Sequence, residues 1–219
     1  MRYALPIVFV ALLALFFGTA PHLEPRALRR RARRVAEDLR ARHGFREGSK
    51  AAWSRVIATG WPPFHYGARK ASDGELIGSL YGLPARVAGY EVVTTGSRHR
   101  YGLAVVALPR PLDWFEVRGE RAFSAARVPE HVPDGRVTLG VADFDAHWSV
   151  YADSSDALLT AGSRRLVETM LDCPGRLNFR VHGSELLLWT RDGWSGAAEL
   201  MVCLGAVLGL LGLPDTSDL

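Results

Sequence analysis

Residues 85–108 read ARVAGYEVVTTGSRHRYGLAVVAL. Two runs rich in valine, tyrosine and leucine, Ala85–Thr95 and Tyr101–Leu108, flank a turn from Gly96-Ser97 to Arg100. Alternating apolar runs around a Gly-Ser turn are the mark of an antiparallel hairpin. Working outward, Leu76–Tyr81 precedes this pair and Leu112–Val117 follows it as further strand candidates, with Pro109 and Pro111 ending the third strand. Residues 119–136 carry Pro129, Pro133 and Asp134-Gly135 and read as a loop. Thr138–Ala142 and Phe144–Tyr151 read as strands again. Two short helices are expected next, the first capped by Asp153 or Ser154. The second is capped by Thr160 and buries Leu166, Val167, Met170 and Leu171. Leu177–His182 and Glu185–Thr190 then form a hairpin through Gly183-Ser184. The final helix runs from Ser195 to Leu213, where Gly205, Gly209 and Gly212 permit close approach to the strands. Strands and then helices in this order predict an α+β domain over 51–213: a largely antiparallel sheet with a C-terminal helix packed on one face.

Ahead of the domain lies YALPIVFVALLALFFGTA, residues 3–20, with no charge inside it. Eighteen helical residues rise roughly 27 Å, enough for a hydrocarbon core, so this is the expected transmembrane helix. Pro21 spoils the small-residue cleavage site that Gly18-Thr19-Ala20 would offer, which favours a retained signal-anchor over a cleaved leader. Arg26, Arg29, Arg30, Arg31, Arg33 and Arg34 follow within fifteen residues, against only Arg2 before it. The positive-inside rule then places a single-pass protein in the cell membrane with its globular domain in the cytoplasm. Residues 24–43 read as a basic amphipathic juxtamembrane helix. Leu28, Ala32, Val35, Ala36 and Leu39 form one face and arginines cover most of the other. That helix either lies on anionic lipid headgroups or only sets topology and spaces the domain from the membrane. Met201–Leu213 is wholly apolar but thirteen residues long, which suits a buried helix better than a second span.

The formal net charge of +4 is unevenly placed. Residues 22–50 hold ten basic and four acidic side chains, whereas 51–219 hold sixteen basic and nineteen acidic. The globular part therefore lacks the basic excess that nucleic-acid binding requires. Cys173 and Cys203 are far apart in sequence and lack CxxC or Cys/His spacing, so they read as buried free thiols.

The one constellation with chemical potential is Asp143-Phe144-Asp145-Ala146-His147-Trp148. On a strand, alternation would gather Asp143, Asp145 and His147 on one face, where they could hold a divalent metal or perform acid/base work. The same alternation is also what a half-buried strand shows with no site at all. Ser154, Ser155 and Asp156 are explained by helix capping, and there is no GxSxG context for a nucleophile. His65, His99 and His182 stand in loops or turns, and the glycines at 78, 82 and 89 lack the strand–loop–helix setting of a phosphate site. No motif asks for a cofactor.

Several segments in order carry a resemblance. They are Trp61-Pro62-Pro63-Phe64-His65-Tyr66-Gly67, Leu80-Tyr81-Gly82-Leu83-Pro84 and Val105-Val106-Ala107-Leu108-Pro109. Phe144-x-x-x-Trp148-x-Val150, Ala157-Leu158-Leu159 and Gly183-Ser184-Glu185-Leu186-Leu187-Leu188-Trp189 complete the set. Together the chain resembles an actinobacterial family of membrane-anchored proteins with a single α+β domain and no assigned activity. Where members have an aromatic-rich strand after the small turn, this chain has Val87-Ala88-Gly89-Tyr90. The resemblance implies an anchored α+β domain and brings no catalytic residues. The function expected is a non-enzymatic binding or scaffolding domain held at the membrane. Its partners are the membrane itself, with anionic headgroups, and a protein or small ligand. The alternative is a metal-assisted hydrolase built on Asp143, Asp145 and His147.

Overall fold

The computed structural model describes residues 27–48, 69–93, 98–119, 136–152, 155–173 and 177–213. The expected membrane helix 3–20, Arg26, most of the tryptophan- and proline-rich lead and the 120–135 loop lie outside them. Among the described residues no helix is long and apolar enough to cross a membrane.

A helix over residues 27–43, α1, leads through Gly44 and Phe45 into a two-residue strand, β1 (Arg46–Glu47). Gly44 closes α1 in the left-handed region at φ +64°, which glycine enters without steric cost. There follow β2 (Arg69–Leu80), β3 (Leu83–Val93) and β4 (Arg98–Gly119). Beyond them lie β5 (Arg136–Val137), a single helical turn α2 (Ala142–Asp145) and β6 (Trp148–Ala152). The chain ends in α3 (Ser155–Asp172), β7 (Asn178–Arg191) and α4 (Ala197–Leu210). The seven strands form one sheet in the order β1-β2-β3-β4-β6-β5, with β7 also on β4, and every ladder is antiparallel. The α+β class, the largely antiparallel sheet and the C-terminal helix are therefore as the sequence implies.

β4 is the spine. Its first half pairs with β3 and its second half with β6, while β7 pairs with both halves. Pro109 and Pro111 do not end this strand. They sit where the β4–β7 register breaks between Ala107 and Leu112. Proline has no N–H to give a ladder, so the interruption falls where donors are missing. Opposite the break, Gly183 adopts φ +58° and β7 bends with its partner. The hairpin expected through Gly183-Ser184 is thus a bend within one fourteen-residue strand. Among the described residues a tight hairpin turn falls at Tyr81-Gly82, with both φ values positive (50° and 72°), which matches the twist of β2 and β3. The Tyr81 hydroxyl donates to the Met201 carbonyl of α4 at 2.9 Å. Gly205 makes room for it, since a Cβ there would stand 2.7 Å from that hydroxyl. Gly212 serves differently: at φ +65° it terminates the helix.

The two helices expected over 153–172 are one, α3. Leu166, Val167 and Met170 are buried as the stripe requires, but Leu171 is 48% exposed and Cys173 turns inward instead. The main core lies between one face of the sheet and α1, α3 and α4. Leu200, Cys203, Leu204 and Val207 of α4 are fully buried within it. A second cluster, including Tyr90, Leu103 and Trp189, occupies the reverse face. α1 and β1 join the core and sheet although they precede residue 51. Val35 and Leu39 are buried, each contributing about 1.5–3 kcal/mol by leaving water.

Candidate functional site: a cavity under an arginine-bearing helix

Asp143, Asp145 and His147 do not lie on a strand. Asp145, Ala146 and His147 donate their backbone N–H groups to Val141, Ala142 and Phe144 at 2.8, 3.0 and 2.9 Å, closing a helical turn. The turn tucks Phe144 wholly inside, stacked on Trp148 at 5.4 Å, and removes the alternation on which the shared face depended. Asp143 and His147 are exposed, and half-buried Asp145 accepts the Leu139 N–H at 3.2 Å. Among the described residues there is no group of three histidine, cysteine, aspartate or glutamate side chains placed to hold a metal. This weighs against the hydrolase alternative.

A second polar group lies on the reverse face of the sheet. Arg118 pairs with buried Glu116 at 2.6 Å and stacks over Tyr151 at 5.0 Å, with Arg180 opposite Glu116 in register. Burial pushes the Glu116 carboxyl up, and Arg118 and Arg180 pull it back. These charges face one another within the sheet, although Glu116 Oε2, Arg118 Nη2 and Arg180 Nη1 are buried without a hydrogen bond.

The cavity lies elsewhere. α1 crosses the core face of the sheet near the β7–α4 turn and encloses about 290 Å³ beneath it. Its roof is the apolar stripe of the helix, from Leu28 through Val35 to Leu39. Its floor includes Leu76 of β2, Val87 of β3 and Trp194. The indole of Trp194 packs against Gly102, where a Cβ would come within 2.6 Å of it. The sequence predicts this helix and this stripe. The structure adds that the stripe is turned to the sheet.

The mouth of the cavity is basic. Arg29, Arg33 and Arg40 follow one another down the flank of the stripe at helical spacing. With Arg100 of β4 and the acidic Glu37 they line an adjoining cleft of about 550 Å³. Ala32, Ala36, Arg40 and Arg100 line both spaces, so the cleft and the cavity are neighbours. Arg40 also bridges to Glu47 of β1 at 2.9 Å and ties the helix to the sheet edge. Arg100 is only 7% exposed. Burial pulls its pKa down, and the nearby charge of Arg29 adds to the shift. Of the arginines expected at the membrane surface, Arg29, Arg30, Arg31, Arg33 and Arg34 are exposed on α1.

Arg40 and Arg100 were not among the expected site residues. One signal could have found Arg100. It shares strand parity with Gly102, Ala104 and Val106, the inward-facing set of β4. Cys173 and Cys203, distant in sequence, are neighbours across α3 and α4 and remain free thiols. A thiol–thiol hydrogen bond lowers the pKa of Cys173 and raises that of Cys203.

Fold and site together define an antiparallel α+β domain whose leading helix roofs a cavity with a cationic rim. Among solved structures, the chain is similar to the crystal structure of the mycobacterial trehalose monomycolate transport factor A, TtfA. The identity is 17% over 86% of this chain and 97% of that one, with a TM-score of 0.56. At that identity the likeness shows the fold. It is consistent with the actinobacterial resemblance carried by the sequence. No protein-family model matches the chain, and no curated protein matches it.

Proposed function

We propose that the protein is a single-pass, membrane-anchored binding domain without enzymatic activity. It works on the cytoplasmic side with the arginine face of α1 against anionic headgroups. The observation that carries this reading is the division of α1. Its apolar stripe is taken up by the sheet, while Arg30, Arg31 and Arg34 remain exposed. An amphipathic helix floating on lipid would instead spend its apolar face on the acyl boundary. Here only charge is left for the membrane, at about 1 kcal/mol per basic residue near an anionic surface. Likeness in fold to a factor of trehalose monomycolate transport supports a role beside a membrane process.

The test is a pair of fusions placed after Leu219 of the full chain, one to green fluorescent protein and one to alkaline phosphatase. Fluorescence without phosphatase activity is expected. Phosphatase activity without fluorescence overturns the cytoplasmic assignment.

A further inference from the structure

We infer that the cavity beneath α1 takes one single-chain anionic lipid from the membrane, its chain under the helix and its head at the arginines of the mouth. The inference deepens the binding role proposed above and rests on the membrane attachment in it.

Three observations converge. The first is chemistry. The cavity is walled largely by Leu28, Val35, Leu39, Leu76, Val87 and Trp194, with Glu47, Glu75 and Asp192 also on its lining. It adjoins a cleft lined by Arg29, Arg33, Arg40 and Arg100, with Glu37 the one acidic group among that cleft's seven lining residues. Guanidinium forks match carboxylates and phosphates in geometry, and several cations around one partly buried space favour an anion there. Guanidinium groups in the cleft beside the apolar wall of the cavity suit an amphiphile with an anionic head.

The second is size. A space of about 290 Å³ holds on the order of ten water-sized groups at roughly 30 Å³ each. That accommodates one chain of moderate length. Burial of each methylene from water is worth about 0.8 kcal/mol, so even a partly inserted chain gives a useful gain.

The third is place. The described part of α1 starts at residue 27, seven residues after the apolar run ends at Ala20. A chain of that length spans at most about 25 Å. The Leu28–Arg29 end of the cavity is thereby held close to the bilayer surface, and the inner leaflet is the source of the ligand.

The test uses the full chain in lipid nanodiscs with a matched pair of photoreactive probes: a diazirine-bearing fatty acid and the fatty alcohol of the same chain. After irradiation, labelled peptides are mapped by mass spectrometry. The acid is expected to label segments 28–39 and 76–88, and the alcohol to label them about tenfold less, the size of one lost charge-assisted contact. Arg33→Gln, at an exposed position that leaves the core untouched, should bring acid labelling down toward the level of the alcohol. Ala36→Trp, which places bulk where cavity and mouth meet, should abolish it while the unfolding midpoint stays near that of the parent. Equal labelling by acid and alcohol overturns the inference. So does labelling that survives Ala36→Trp, or labelling confined to residues 3–20. The fusion experiment reads which side of the membrane the domain occupies, and the probe experiment reads what enters the cavity. Failure of one is therefore distinguishable from failure of the other.

Discussion

Glu75 is a carboxylate almost without water. Its side chain is 1% exposed, and Arg86, itself 44% exposed, approaches only to 4.0 Å. Neither carboxylate oxygen has a hydrogen-bond partner. One lies so close over Gly48 that a Cβ there would meet it at 2.6 Å. Burial pushes the Glu75 pKa up from the usual carboxylate range, and Arg86 offsets part of that shift. The folded chain therefore holds this proton at a higher pH than the unfolded chain does. The resulting stabilisation is fully present below the unfolded pKa and is lost as pH rises through the folded pKa. Glu75→Gln is expected to raise stability at pH 7, because the neutral amide removes the charge whose burial is disfavoured. Urea unfolding of the full chain in micelles checks it: the gain should shrink as pH falls toward 4, and a gain that stays constant would point to packing instead.

At the scale of elements, the join between the β2–β3 turn and α4 rests on one tyrosine and one glycine. Gly205→Ala forces the Tyr81 hydroxyl from its place and should remove its 2.9 Å bond to the Met201 carbonyl, at a cost of about 1 kcal/mol. Tyr81→Phe removes the same bond. The double variant should then cost clearly less than the two single variants added together, and strict additivity in thermal unfolding would refute the coupling.

The elements also show what local sequence can and cannot reveal. The β3–β4 pairing was legible from the alternation of 85–93 and 101–108, while the expected Gly96-Ser97 turn lies outside the described residues. Gly183-Ser184 was misread because a glycine in the left-handed region serves a tight turn and a bend in a strand equally well. Which one forms depends on the prolines of β4, seventy residues away, that interrupt the facing ladder. The Asp143–His147 segment was misread for a related reason. Its polar–apolar alternation fits a strand, yet a single helical turn also buries Phe144, and the core decides between them.

For the whole molecule, the arginines of α1 divide into two sets with different duties. Arg29 and Arg33 line the basic cleft, whereas Arg30, Arg31 and Arg34 do not. Replacing those three by glutamine should leave the fold intact, since all are exposed, while weakening the charge asymmetry that orients the chain. In the fusion experiment this variant is expected to lose a substantial share of its fluorescence and gain phosphatase activity. Unchanged fluorescence would mean that these three arginines do not direct topology. The candidate site was half visible from sequence by the same logic. The apolar stripe and its flanking arginines follow from helical periodicity, which is local. The floor of Leu76 and Val87 and the depth of Arg100 depend on where α1 lands on the sheet, which no window of residues contains.

The sheet ends in two stubs. β1 and β5, at the two ends of its strand order, are two residues long, and Arg46, Glu47 and Arg136 on them are exposed. A strand added to either stub itself would find two residues of ladder and a charge to bury. By contrast, the outer side of β2 beyond Leu76–Ile77 and the far side of β7 have no partner strand among the described residues. Proteins held together on one face of a membrane meet one another far more often than proteins in free solution. At the two stubs the domain is built to resist fusing with its own kind.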